Sequence, residues 1–229
     1  MTDGSPGATR LPLVQIATLP QVVPSPVCLS CEVCCRFPDE ESFLRPYFTA
    51  DEIRRAIAAG LDPRHFPDPE GGQVRVVPNP SGEGYLCPAF DPGTSHCRIY
   101  EVRPLDCQIY PLALMWSADG NQVLLGWDTK CPFLSGGAPL TPALSPRGRG
   151  EGEGVEAYAQ RITKLLEGEE TLEIVARNPR LIGRFQEDVV VLRILPRLTG
   201  RALKQVSGVR GQVTGGSLPD TRHRTPDTP

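Results

Sequence analysis

The 229-residue sequence predicts a small, loop-rich α+β fold organised by a cysteine cluster and followed by packing helices. Three observations predict it. All eight cysteines fall between Cys28 and Cys131. The stretch that holds them carries only short alternating runs, broken by proline and glycine, whereas the residues after 155 return to helical periodicity. The 25 prolines and 23 glycines make up about a fifth of the chain, just short of the low-complexity range. With 39% apolar residues, the composition excludes collagen, coiled coil and full-length disorder. The longest apolar runs, Val189 to Leu192 and Ile109 to Trp116, are far shorter than a membrane span.

In chain order, residues 1–26 read as a flexible N-terminal arm. It has no basic segment followed by an apolar one, and four prolines between Leu11 and Val27 are too many for a signal helix. The expected compartment is therefore a reducing cytoplasm, where disulfides are unfavourable. Residues 27–135 form the expected cysteine-cluster domain. Thr49-Ala-Asp-Glu52 matches a capping box and predicts a helix with Ile53, Ala56 and Ile57 on one face, ended by Gly60 and by Asp62-Pro63. Gln73–Val77 alternates as a strand up to Pro78, and Gly84–Phe90 and Val123–Trp127 are further short strands. Ile99–Tyr110 reads as two helical turns divided at Arg103-Pro104, because proline suits a helix start and not its middle.

Residues 136–154 are dominated by glycine and proline and read as a disordered linker or insertion. Residues 155–200 form the expected C-terminal helical segment packing on the core. There, Val155, Tyr158, Ala159, Ile162, Leu165 and Leu166 share a helix face, and Thr171 to Arg177 is a second helix. Arg180 to Leu195 fits either a strand, through Val189–Val191, or a helix. Residues 201–229 read as a disordered polar tail.

The chemistry lies in the cysteines Cys28, Cys31, Cys34, Cys35, Cys87, Cys97, Cys107 and Cys131. An even number of cysteines in a reducing compartment points to metal rather than disulfides. In Cys28-x2-Cys31-x2-Cys34-Cys35, two-residue spacing lets tight turns aim several thiolates at one centre. Zinc sites use that spacing. Three cysteines at successive two-residue intervals, with Cys87-Pro88 and Cys131-Pro132 elsewhere, lean toward an iron–sulfur centre such as [4Fe–4S]. The vicinal pair Cys34-Cys35 cannot easily serve one ion, since adjacent side chains diverge. Two neighbouring centres, a bridging sulfur, or one packed or reactive thiol all remain open. Eight thiolates would saturate two four-coordinate sites, and a single four-sulfur site is the alternative.

A thiolate centre carries excess negative charge, so nearby cations matter. Arg36, Arg98, Arg103 and Lys130 each lie close to a cysteine in sequence. His96, beside Cys97, is an alternative ligand that eight cysteines make unnecessary, while His65 and His223 lack partners. Trp116, Trp127, Tyr100 and Tyr110 read as core or rim aromatics around the site, and Asp39-Glu40-Glu41 as a solvated acidic loop. The net charge of −3 argues against a nucleic-acid partner, and a membrane partner is not expected. No protein partner is indicated. No phosphate-cradling glycine motif or nucleophile elbow is present, so independent catalysis is not expected and no catalytic residues are assigned.

Taken together, Cys28-Leu-Ser-Cys31-Glu-Val-Cys34-Cys35, Cys87-Pro88 and Cys97-Arg-Ile-Tyr100-Glu-Val-Arg103-Pro104-Leu-Asp-Cys107-Gln-Ile-Tyr110-Pro111 resemble the YkgJ-like cysteine-cluster family. The resemblance implies a zinc- or iron-chelating domain, with the cysteines as the metal site and Arg103-Pro104 and Tyr110-Pro111 as framework. Gln108 stands where the family pattern usually has arginine. A distant relative of the family, flagellin lysine N-methylase, carries a similar cluster. It supplies the alternative reading, an iron–sulfur enzyme or electron carrier, although nothing in this chain resembles a methyl-donor site.

Overall fold

The computed structural model describes Val23 and residues 25–29, 31–132 and 155–210, and in them the chain is an α+β fold. A four-residue helix α1 (Ser25–Cys28) is followed by a 3-10 turn (Val33–Cys35) and β1 (Arg36–Phe37). Next come β2 (Tyr47–Thr49) and α2 (Ala50–Ala58). The predicted capping box is formed: the Thr49 side chain accepts from the Glu52 amide, and the Glu52 carboxylate accepts from the Thr49 amide. Ile53 and Ala56 are buried, and Gly60, at φ 100°, lets the chain turn away.

The expected strand over Gln73–Val77 is divided. β3 (Gly71–Gln73) pairs with β2, whereas β4 (Val77–Pro78) pairs with β5 (Tyr85–Leu86). The alternation is real, since Val74 and Val76 are buried and Arg75 is exposed. It belongs, however, to a segment passing between two sheets, and Arg75 N–H donates to the His65 carbonyl instead of to a neighbouring strand. The expected strand Gly84–Phe90 is likewise split, into β5 and β6 (Phe90–Asp91), because Pro88 has no N–H to give a ladder. β6 pairs with β7 (His96–Cys97), and β5 also pairs with β1. A 3-10 turn (Tyr100–Val102) and α3 (Leu105–Ile109) meet at Arg103-Pro104, as the proline requires.

The largest sheet is antiparallel, in the order β10–β9–β8, from β8 (Leu112–Trp116), β9 (Val123–Asp128) and β10 (Val189–Ile194). β8 was hidden in an apolar run without alternation, and Arg180 to Leu195 resolves in favour of the strand. α4 (Val155–Leu166) and α5 (Glu169–Arg177) form where expected. α6 (Pro196–Arg210) runs past residue 201, so the polar composition there belongs at its start to a helix and not to the tail. At the other end, Val23 is buried in the core although composition placed it in the arm. Residues 1–22, 133–154 and 211–229, and with them the linker and most of the arm and tail, lie outside the described residues. Among the described residues no helix is long and apolar enough to cross a membrane.

Two main hydrophobic cores result, beside a small cluster of Met115, Leu124 and Val189. One gathers Leu105, Ile109, Leu114 and Leu125 with Ile162, Leu166, Val175 and Leu198 of the C-terminal segment. The other gathers Phe37, Phe48, Ile53, Phe66, Val74, Leu86 and Ile99, with the Phe48 and Phe66 rings edge to face at 5.1 Å. Polar contacts stitch the halves together. Tyr47 donates its hydroxyl to Asn178 Oδ1 at 3.3 Å, and Arg180 pairs with Asp68 at 2.7 Å. Gly71, at φ 133°, is needed beneath that contact, since a Cβ there would meet the Tyr47 hydroxyl at 2.7 Å.

A second close approach lies in the large sheet, where a Cβ on Gly126 would run into Val189 Cγ1 and stand 3.2 Å from the Val190 carbonyl oxygen. Gly126→Ala is therefore expected to destabilise the protein by about 1–3 kcal/mol, as overpacking does. Adding Val189→Ala should recover part of that loss, and denaturant unfolding of the single and double variants measures both. Equal stability of Gly126→Ala and the parent would contradict this packing.

Candidate metal centre

Each cysteine is delivered by a short element with little freedom of its own. Cys28 closes α1, and the following turn brings the Cys31 amide to the Cys28 carbonyl at 3.2 Å. Cys34 and Cys35 occupy the 3-10 turn that leads into β1. Cys87 follows β5, and its N–H donates to the Cys35 carbonyl at 2.9 Å, fixing one cysteine segment on another. Cys97 lies on β7, Cys107 in the middle of α3, and Cys131 just beyond β9. Cys131 belongs to the C-terminal core and Cys28 packs against it. Cys87 belongs to the other core, with Cys35 and Cys97 against it. Thus the cysteines collect at the seam between the two cores.

All eight line one cavity of about 100 Å³, and none is in a disulfide. Phe48, Phe90 and Ile99 wall it, together with Tyr100, Arg103 and Tyr110. Among the described residues, no three Cys, His, Asp or Glu side chains already stand close enough together to hold an ion. The sulfurs surround a common space without closing on one point.

Burial dominates the electrostatics. It pushes the Cys87 thiol up to about 12 and raises Cys28, Cys97 and Cys107 as well. The vicinal pair splits: Cys35 donates its S–H to the Cys34 sulfur, which lowers Cys34 and raises Cys35 well above the ordinary thiol range. The charge on Cys34 in turn raises Cys28, Cys35, Cys87, Cys97 and Cys107, so Cys34 lies at the electrical centre of the group. Soft metals bind thiolates, so loading this set would have to displace the protons of the buried thiols.

Of the four nearby cations, Arg103 faces the cavity. Its guanidinium lies 4.0 Å over the Tyr100 ring and favours the charged forms of Cys28, Cys34 and Cys97. Arg98 donates to the Pro88 carbonyl and favours only Cys97. Arg36 pairs with Glu32 at 2.7 Å, and Lys130 pairs with Asp188. Gln108 donates to the Arg103 carbonyl at 2.8 Å, bracing the backbone of the residue that supplies the charge.

His96 is exposed and is not among the cavity residues. Its neighbour Cys97 takes the inner face of β7, and alternation turns His96 outward. His65 lies in a separate 3-10 turn (Pro63–His65), and His223 is outside the described residues. Tyr100 and Tyr110 line the cavity, whereas Trp116 and Trp127 pack on the C-terminal core.

Two carboxylates that support the site were not assigned to it from the sequence. Glu52 Oε2 accepts from the Thr49 amide and hydroxyl at 2.8 and 2.9 Å, while Oε1 accepts from Leu105 N–H at 2.7 Å. The capping box identifies the first part of this arrangement. The link to the first turn of the helix that carries Cys107 appears only in three dimensions. Asp106 accepts from the Tyr47 amide at 3.0 Å, and burial raises its carboxyl to about 6.

Residues 27–132 match the model of the CxxCxxCC family, whose description is "Putative zinc- or iron-chelating domain". The match covers the whole cysteine-bearing segment and stops before the C-terminal helices. Searches of the curated proteins and of the solved structures return no match.

Proposed function

We propose, for a chain whose residues 27–132 match the CxxCxxCC zinc- or iron-chelating model, that its function is metal chelation. Cys28, Cys31, Cys34, Cys35, Cys87, Cys97, Cys107 and Cys131 would hold zinc, or iron as an iron–sulfur centre such as [4Fe–4S], in the cytoplasm. The observation that carries this reading is the convergence of all eight unbridged thiols on one cavity between two cores. The donor set fits the group: it is all sulfur, with Arg103 beside it to offset charge and without a competing disulfide. Eight thiolates are twice the complement of one tetrahedral ion, which supports two ions or one polynuclear centre over a single four-sulfur site. Because the sulfurs surround the cavity without closing on a point, loading would draw the loops inward around the metal. When bound, such a centre supplies cross-linking of distant loops and, if iron, reversible electron uptake.

Anaerobic purification with elemental analysis and an optical spectrum tests the reading. A colourless protein with stoichiometric zinc, or a brown one with iron, sulfide and absorption that bleaches on reduction, is the expected result. Cys31→Ser should lower the metal content. A parent protein without stoichiometric metal, or a Cys31→Ser variant with unchanged metal and stability, would overturn the assignment of that cysteine or of the centre as a whole.

A further inference from the structure

A second cavity, of about 150 Å³, abuts the cysteine cavity, and Cys34, Pro46, Cys107 and Tyr110 line both. Its remaining wall mixes apolar side chains such as Phe43 and Leu112 with polar ones, among them Arg45, Lys130, Arg180 and Gln186. The two spaces therefore differ in kind. One is thiol-lined and apolar, and the other adds charged side chains, each cation paired with a carboxylate: Arg36 with Glu32, Arg45 with Glu41, Lys130 with Asp188 and Arg180 with Asp68. Of the two sulfurs on the shared wall, Cys34 is exposed and Cys107 is partly covered within α3. Cys34 is the one exposed cysteine of the eight, although it sits amid the mass of the fold.

We infer that Cys34 is the exchangeable ligand of the centre, and that the second cavity, with its polar side chains, admits the small thiol that displaces it. The inference rests on the chelation reading and deepens it. In the exchange, the incoming thiol gives up its proton and bonds to the metal, and Cys34 leaves the metal and takes a proton. Sulfur replaces sulfur, so no oxidant or reductant is needed. Cys87, buried and tied through its backbone to Cys35, has no comparable access.

The test is pulsed alkylation of the metal-loaded protein with iodoacetate, a probe of similar size, with each cysteine quantified by peptide mass spectrometry. Cys34 should be carboxymethylated at least about tenfold faster than any other cysteine, since thiol reactivity follows access and thiolate character. Gln186→Trp, which narrows the second cavity without touching a sulfur, should slow that reaction severalfold and leave the metal content unchanged. Release of metal to a coloured chelator should rise with added mercaptoacetate in the parent protein and lose that dependence in Gln186→Trp. Modification of Cys34 no faster than Cys87, or an unaltered rate in Gln186→Trp, overturns the inference while leaving chelation intact. Absence of metal in the untreated protein overturns the chelation reading, and this inference with it.

Discussion

Stripping the metal with a strong chelator is expected to unfold the cysteine-bearing segment while the large sheet stays folded. β1, β4, β5, β6 and β7 are each two residues long, and β2 and β3 three. Strands this short do not make a stable sheet by themselves. The core they enclose is fed by loops, and it meets the rest of the molecule at the cysteine cavity and through a few polar contacts such as Tyr47–Asn178, Arg180–Asp68 and Glu52–Leu105. A structural metal contributes about 10–16 kcal/mol to folding at neutral pH, as much as the whole stability of an ordinary domain. The C-terminal core is built differently, on strands of five and six residues and on helices α4, α5 and α6. Hydrogen exchange should therefore show amides between residues 36 and 102 losing protection by about a hundredfold or more, a loss of about 2.7 kcal/mol or greater in local stability. Amides of β8, β9 and β10 should change far less. Equal protection with and without metal would show that the centre does not organise these loops.

Glu52→Ala should be the most damaging single change outside the cysteines. Glu52 is 5% exposed, and its two oxygens together accept three hydrogen bonds, two from Thr49 and one from Leu105. Hydrogen bonds to a charged acceptor contribute about 1.5–3 kcal/mol each, and buried donors left without a partner add their own desolvation cost. A loss of about 3 kcal/mol or more follows, equivalent to about 6–12 °C in the melting midpoint of a chain of this size. The loss should not be purely one of stability. Leu105 N–H begins the helix that holds Cys107, so the variant should also release metal faster than the parent. Glu52→Gln keeps an acceptor for Leu105 and is expected to fall between the two. A Glu52→Ala variant with parental melting and parental metal release would remove the proposed link between the capping box and the centre.

Much of the fold was legible where one local rule acted alone. The capping box at Thr49-Glu52, the break at Arg103-Pro104, and the helices α4 and α5 all follow from patterns within a few residues. The failures share a cause. Val74 and Val76 alternate because one core lies beneath them, yet their segment joins two sheets, and the pairing partners are far away in sequence. β8 carries no alternation because both its faces are covered, as the burial of Leu112, Leu114 and Met115 shows. The start of the polar tail is helical because Leu198 and Ala202 reach the core, a fact that composition cannot register.

The same division runs through the candidate site. Cysteine is scarce and chemically unlike its neighbours, so its clustering between residues 28 and 131 marks a soft-metal centre before any folding is considered. Spacing of two residues is local geometry, and it is enough to place Cys28, Cys31 and Cys34 on successive turns. Everything that depends on distant segments meeting was decided by tertiary packing. Arg103, and not Arg36 or Lys130, faces the thiols, because the latter two find carboxylates on nearer segments. His96 turns outward because β7 must give its inner face to Cys97. Cys34 is the exposed cysteine of the eight and lines two cavities that only the meeting of distant segments creates. Residue type and short spacing carry chemical identity, whereas orientation and access depend on which chain segments the burial of apolar surface brings together.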